Sequence, residues 1–314
     1  MSRNDNKAIS TMYAAVGMIV LLVIGFAAGY YMSPGQPEPS QEFPEDSEWR
    51  TDTISLAGST TVLPVAESAS IAFMNEYTDA TITVSGGGSG TGYSSTIDGI
   101  VDIGMASRPP KQAEIDRGVN LWLHPIALDA VCVVVHPSVA DSLNLTLQEV
   151  GKIFSGEYTH WNEVKNDLDA EEIYVVVRES GSGTRGTFEE YTIDPWDYTI
   201  PSAGVHEQPS NPAVRTTIET TSYSIGYVGF GFLSENMVAV ALTKEGGSGF
   251  IPPTLTNIQG GTYPISRLLY FVTSSQLESG SLADRFLEFV LSTEGQEIVE
   301  SEGFLKLPVA YNYP

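Results

Sequence analysis

An α/β fold in two lobes, each a wound sheet flanked by helices, is the architecture that this sequence predicts. Three observations carry that prediction. Short β-branched runs alternate with amphipathic helical stretches from about residue 54 to residue 300, the signature of the doubly wound class. Three of those runs end in loops of small hydroxyl residues that open straight into helices, and open α/β sheets bind ligands at the C-terminal ends of their strands. With the N-terminal segment set aside, the 314 residues leave room for two lobes.

Taken in order, Arg3 and Lys7 precede an uncharged, mostly apolar stretch from Met12 to Met32. At 1.5 Å per residue this reaches about the ~30 Å of a bilayer core, so residues 1–32 read as a transmembrane anchor or, alternatively, a signal segment. The basic residues keep the short N-terminal side in the cytoplasm and put the rest outside. No cysteine follows the stretch, which excludes a lipid-anchored form. Residues 33–51 are rich in Pro, Glu, Ser and Gln and predict an extended acidic tether with little to bury. Asn144-Leu145-Thr146 matches a glycosylation acceptor, a pattern that is common by chance.

The folded part begins near Asp52. Strand Ile54–Ala57 leads through Gly58-Ser59-Thr60-Thr61 into a helix over 62–77. Strand Thr81–Val84 leads through the glycine-rich 85–92 loop into a helix over 93–100. Asp102–Met105, Leu121–Ile126 and Ala130–His136 follow as strands, and Leu147–Phe154 as a short helix with Thr146 at its N-cap. Strand Glu172–Arg178 runs into Arg178-Glu179-Ser180-Gly181-Ser182-Gly183-Thr184-Arg185 and a helix. A strand with a turn over 222–232, a strand over 267–272, an amphipathic helix over 281–291 and a last helix over 295–300 complete the chain.

The three loops predict an anion site, because unpaired N–H groups and helix dipoles converge at such junctions and arginine adds a planar fork for tetrahedral oxyanions. The formal charge of −24 excludes a nucleic-acid binder, which needs a basic face. It does not exclude a small anion, since surface carboxylates are screened within ~10 Å. Cys132 is the only cysteine and lies in an apolar run, so it predicts packing and no internal disulfide.

In order and spacing, several stretches resemble the extracytoplasmic phosphate-binding proteins of ABC phosphate importers, the PstS type: G-S-T-T-V at 58–62, S-G-G-G-S-G-T-G at 85–92, D-I-G-M-A-S-R at 102–108, L-T-L-Q-E-V-G-K-I-F-S-G at 145–156, R-E-S-G-S-G-T-R at 178–185, S-I-G-Y-V-G-F at 224–230 and Y-P-I-S-R-L-L-Y at 263–270. The resemblance covers roughly residues 54–308. It implies a type II periplasmic-binding-protein fold with a cleft between a first lobe (52–128 and 266–314) and a second lobe (129–265). It implies a monomer that holds inorganic phosphate without a metal or cofactor and hands it to permease subunits in the membrane. By position, Thr60, Thr61 and Ser89 would bind from the first lobe, and Arg178, Ser182, Gly183 and Thr184 from the second.

One departure bears on selectivity. Some members carry a carboxylate where this chain has Ser107, followed by Arg108; that carboxylate accepts a hydrogen bond from protonated phosphate and so rejects sulfate, which has no proton to donate. Asp129 is the replacement acceptor by this reading, with a hinge-bonding role as the alternative, and Arg108 is either a second cationic contact or a rim residue. Ser180 replaces an acidic partner of the arginine, which leaves Glu179 or backbone to orient Arg178.

Rival chemistries fare worse. The lysine of a nucleotide-binding P-loop is missing, because Tyr93 holds its place. A hydrolase built on Ser59, Ser89 or Ser182 needs a positioned base, yet His124, His136, His160 and His206 are scattered. Receptors for sulfate, molybdate or tungstate rest on the same loop physics and stay open, as does a phosphate sensor without a transporter.

Overall fold

The computed structural model describes residues 52–243 and 249–307; the predicted anchor and tether lie outside them. Among the described residues no helix is long and apolar enough to cross a membrane. The strands are β1 (Thr53–Gly58), β2 (Thr81–Gly86), β3 (Ile103–Ala106), β4 (Trp122–Val135), β5 (Asn144–Thr146) and β6 (Tyr174–Arg178). They continue with β7 (Val205–Gln208), β8 (Ser224–Gly229), β9 (Val238–Ala239), β10 (Ala241–Thr243) and β11 (Ser266–Thr273). A mixed sheet runs β2-β1-β3-β11-β4-β8-β6-β7, with β9 also on β4, while β5 pairs separately with β10.

Its two halves are built alike. In the first, β1 lies parallel to both β2 and β3; in the second, β6 lies parallel to both β7 and β8. Antiparallel β4 and β11 join them. Residues 122–130 of β4 pair with β11, and residues 131–135 pair with β8, so β4 passes from one half to the other at Ala130–Val131.

The sequence predicts two strands here, over 121–126 and 130–136, where the structure has one. Pro125 and Asp129 read as interruptions because proline lacks an N–H and aspartate disfavours strands. The register shift between Leu269 and Tyr270 lets β11 pass Pro125, as a bulge does. Asp129 finds its partner directly across, in register with Arg267. Cys132 is fully buried in the same strand, and burial, with the Asp129 charge behind it, pushes its thiol well above the usual range. It is a packing residue.

Each half has its own aromatic core. Phe73, from the helix Leu63–Glu76, meets Phe286 and Phe289 of the helix Leu282–Leu291 edge-on, at 5.7 and 5.5 Å between ring centroids. Phe188, from the helix Gly183–Thr192, stacks on Tyr227 of β8 at 4.0 Å and meets Phe154 at 4.6 Å. Each such side chain contributes about 1.5–3 kcal/mol by leaving water. Tyr227 does a second job: its hydroxyl accepts the Arg178 N–H at 3.1 Å, which ties the end of β6 to the core.

The helix expected over 93–100 spans Ser89–Ile97 instead. Gly87 and Gly88 take positive φ of 149° and 87°, conformations open to glycine, so the chain turns early and Ser89 becomes the first helical residue. Thr146 caps its helix as expected: its Oγ1 accepts the Glu149 N–H at 3.0 Å, and Glu149 Oε2 accepts the Thr146 N–H at 2.8 Å, a reciprocal capping box. Strand β7 and the helix Asn211–Thr220 are additional to the elements expected from sequence. Ser210 caps that helix through the Ala213 N–H at 3.2 Å, with Pro212 in its first turn, the pattern that starts helices.

Candidate functional site

Four helices begin at one place. The first follows β1 and the Ser59-Thr60-Thr61 turn; the others open at Ser89, Gly183 and Asn211. Thr61 Oγ1 lies 3.0 Å from Thr184 Oγ1 and accepts from Asn211 Nδ2 at 2.8 Å. The Gly90 N–H donates to the Gly181 carbonyl at 2.9 Å. These contacts join the two halves of the sheet. The first N–H groups of a helix have no partner within it and carry the positive end of its dipole, so four such ends together form a strong anion cradle.

Three arginines surround the cradle, each bound to a carboxylate. Arg178, 1 % exposed, grips Glu179 with Nε at 2.9 Å and Nη2 at 2.8 Å, and its Nη2 reaches Thr60 Oγ1 at 3.2 Å. Its Nε also donates to the Gln208 carbonyl at 3.2 Å, so Glu179 and backbone together orient it. Nη1 of the same guanidinium is buried without a hydrogen-bond partner. Leaving a buried donor unmet costs about 1–3 kcal/mol, more when it is charged, and a bound oxyanion would satisfy it.

Arg267 has a site position that its sequence context gave no reason to expect, because Arg267-Leu268-Leu269 reads as core strand. Its Nε and Nη2 hold Asp129 Oδ2 at 2.8 and 2.7 Å, while Nη2 also lies 3.3 Å from Thr61 Oγ1 and 3.2 Å from Thr184 Oγ1. Nη1 reaches the Ser107 carbonyl at 3.3 Å. Burial pulls this guanidinium below the usual arginine range, against the opposing pull of Asp129, and it stays a donor at any physiological pH.

Asp129, expected as an acceptor or as a hinge-bonding aspartate, is engaged within the protein. Oδ2 is bound by Arg267, Oδ1 accepts the Phe230 N–H at 2.9 Å, and the residue is fully buried. Arg108 is also paired: Nη1 and Nη2 each reach Glu114 at 2.7 Å, the guanidinium lies over the Tyr93 ring at 5.1 Å, and its Nε is buried without a hydrogen-bond partner. The Tyr93 hydroxyl donates to the Arg108 carbonyl at 2.6 Å; burial raises its pKa and keeps it a donor. Arg108 touches the second half of the sheet through Gly186, where an added Cβ would meet its Cδ at 2.9 Å.

The remaining expected residues come together. Ser89 Oγ accepts the Ser107 N–H at 3.0 Å and pairs with Ser107 Oγ at 3.3 Å, both residues fully buried. Ser182 Oγ accepts the Arg185 N–H at 3.2 Å as the cap of its helix. Gly183 sits against the serine pair, so closely that a Cβ there would overlap both hydroxyl oxygens. Gly183→Ala is thus expected to hold the two halves apart and weaken ligand binding at least tenfold, with the fold intact. Titration checks this; unchanged affinity would mean that the halves need not approach this closely.

Among the described residues no group of three or more His, Cys, Asp or Glu could hold a metal ion. His124 bonds Thr273 at 3.0 Å, His136 bonds Ser138 at 2.9 Å, and His206 stacks on Tyr174 at 3.7 Å; none of these contacts involves a cleft serine.

Comparison with known proteins agrees with the geometry. A family model described as a PBP superfamily domain matches residues 44–294. The phosphate-binding protein PstS of Bacillus subtilis is 30% identical over 302 residues, covering 96% of this chain and 94% of that one. PstS of Pseudomonas aeruginosa is 28% identical over 272 residues, 81% of this chain and 83% of its own. Among solved structures, a protein described as a phosphate ABC transporter substrate-binding protein from Clostridium perfringens, with bound phosphate, superposes with a TM-score of 0.72. It is 29% identical, over 82% of this chain and all of that one. A phosphate transport receptor from Vibrio cholerae gives a TM-score of 0.64 at 25% identity, over 80% of this chain and 99% of its own.

Proposed function

Because the chain belongs to the PBP superfamily and, within it, to the PstS phosphate-binding proteins, we propose that it is a receptor that captures inorganic phosphate and delivers it to an ABC importer. The observation that carries this reading is the meeting of four helix N-termini around the Arg178 guanidinium, whose buried Nη1 lacks a partner. The three cleft arginines face three carboxylates, so the cradle is formally neutral. The charge of an anion is then met by N–H and O–H dipoles and by two buried donors without a partner, Arg178 Nη1 and Arg108 Nε.

The mechanism follows from the chain path. The described residues of two lobes, 52–128 with 266–307 and those within 129–265, swing about β4 and β11, where the chain crosses between the sheet halves. Phosphate enters the open cleft and meets Thr60, Thr61 and Ser89 on one side and Arg178, Ser182, Gly183 and Thr184 on the other. Closure makes the Gly90–Gly181 and Thr61–Thr184 contacts. The chemistry requires no bond making or breaking. The apolar 12–32 stretch and its preceding basic residues support a receptor held at the outer membrane–water boundary by its acidic tether, which raises its effective concentration near a permease.

Calorimetric titration of the full chain, freed of phosphate, tests the reading. Phosphate is expected to bind with a dissociation constant of about 1 μM or tighter, on the order of 8 kcal/mol. No heat and no shift in melting temperature at millimolar phosphate would end it. A second reading, a receptor for another tetrahedral oxyanion, is favoured by one observation: the Asp129 carboxylate is tied to Arg267.

A further inference from the structure

We propose that Asn211 is the lock of lobe closure: a positioning residue of the second lobe that seizes the Thr61 hydroxyl of the first and so sets how long bound phosphate stays. This inference rests on the phosphate-receptor reading and adds to it the residue that controls release.

Thr61 enters a socket of the second lobe. Asn211 Nδ2 donates to its Oγ1 at 2.8 Å, and Thr184 Oγ1 lies 3.0 Å from the same atom. Its Cγ2 methyl faces Gly229, where an added Cβ would come within 3.1 Å of it. Asn211 and Thr61 are 0 % and 1 % exposed, so their contact is sealed from water.

The orientation of Asn211 is fixed from within its own lobe. Its Oδ1 accepts the Gly229 N–H at 3.2 Å, and a backbone N–H can only donate, so the NH2 group turns to Thr61. Nδ2 also lies 3.5 Å from Thr60 Oγ1. The amide thus spends its donors on first-lobe hydroxyls and leaves the anion to the other donors of the cradle. The remaining links across the cleft have other duties. Arg178, Thr60 and Thr184 stand in the site itself, Arg267 carries the buried Asp129 charge, and the Gly90–Gly181 bond is backbone. Asn211 ties the lobes with a side chain that has neither duty.

Timing follows from this placement. In the open cleft Asn211 and Thr61 stand apart and each bonds water, so the arrival of phosphate does not involve them. Closure brings them together, and release requires the lobes to part and the bond to break. Loss of the lock therefore acts on dissociation, where most affinity differences between related complexes lie.

Release of radiolabelled phosphate from the full chain into excess unlabelled phosphate gives koff, and calorimetric titration gives Kd and hence kon. Asn211→Ala is expected to speed release at least tenfold with kon within about threefold of native, in protein that still melts cooperatively. Asn211→Ser, whose shorter side chain does not span from Gly229 to Thr61, should act in the same direction and serves if the alanine variant does not fold. A double-mutant cycle with Thr61→Val separates the lock from a merely structural role. The Gly229 bond is lost in either background, whereas the lock exists only where Thr61 keeps its hydroxyl. In the Thr61→Val background Asn211→Ala is thus expected to speed release less than twofold. Equal tenfold effects in both backgrounds, an unchanged release rate, or an effect confined to kon would overturn the inference and leave the phosphate-receptor reading standing. Failure of both Asn211 variants to fold would make the residue structural and overturn it as well. Absence of phosphate binding in the native protein would remove the receptor reading and this inference with it.

Discussion

Arg178→Ala is expected to weaken phosphate binding by about tenfold to a hundredfold, the equivalent of one charge-assisted hydrogen bond or slightly more, while the protein still unfolds in one cooperative transition. The side chain is 1 % exposed, yet its loss need not unfold the protein. Glu179, its partner, has a side chain that is 24 % exposed and can return to water, so no buried charge is stranded. What disappears is Nη1, the buried donor without a protein partner, together with the Nη2 reach to Thr60 across the sheet halves. Arg178→Lys should recover only part of the affinity, because an ammonium keeps the charge but cannot hold Glu179 in a fork and present further donors at the same time. Calorimetric titration reads both effects. Native affinity in Arg178→Ala would take this residue out of the site.

Arg267→Met is expected to have the opposite profile, with its largest effect on stability. It leaves Asp129, fully buried, with the Phe230 N–H and without its counter-charge. Breaking a buried pair from one side costs about 3–5 kcal/mol. The midpoint of urea denaturation should fall accordingly. Removing the second charge as well, in Arg267→Met with Asp129→Leu, should recover most of the loss, since apolar replacements of a buried pair are often neutral. A double variant no more stable than the single one would show that the pair itself, and not the stranded carboxylate, holds the fold. The contrast between the two arginines follows from their partners: one carboxylate can rehydrate and the other cannot.

Much of this was readable from local sequence. A strand followed by small hydroxyl residues and a helix announces an anion loop, because every feature of it acts within about ten residues: the N–H groups, the glycine turns, the first helical dipoles. That is why the loops carrying Thr60, Thr61, Ser89, Arg178, Ser182, Gly183 and Thr184 were identifiable from their own surroundings, whereas the choice of those residues within the loops came from the family resemblance. Glu179 as a candidate orienter of Arg178 belongs to the same class, being its neighbour in the chain. Asn211 carries no such local mark. Ser210-Asn211-Pro212 is an ordinary helix start, and nothing local marks its first residue as part of a cleft.

Tertiary structure decided the rest. Asp129 and Arg267 are 138 residues apart, and each is unremarkable in its own strand. Only the antiparallel register of β4 with β11, shifted at Leu269–Tyr270 past Pro125, sets them opposite one another and turns a free acceptor into a buried counter-ion. Arg108 pairs with Glu114 nearby in the chain, while its packing on Tyr93 and against Gly186 comes from the fold. The sequence by itself determined that the chain presents an anion cradle, because dipoles and turns are local. That Asp129 meets Arg267 was decided by strand register, because the two come from distant parts of the chain.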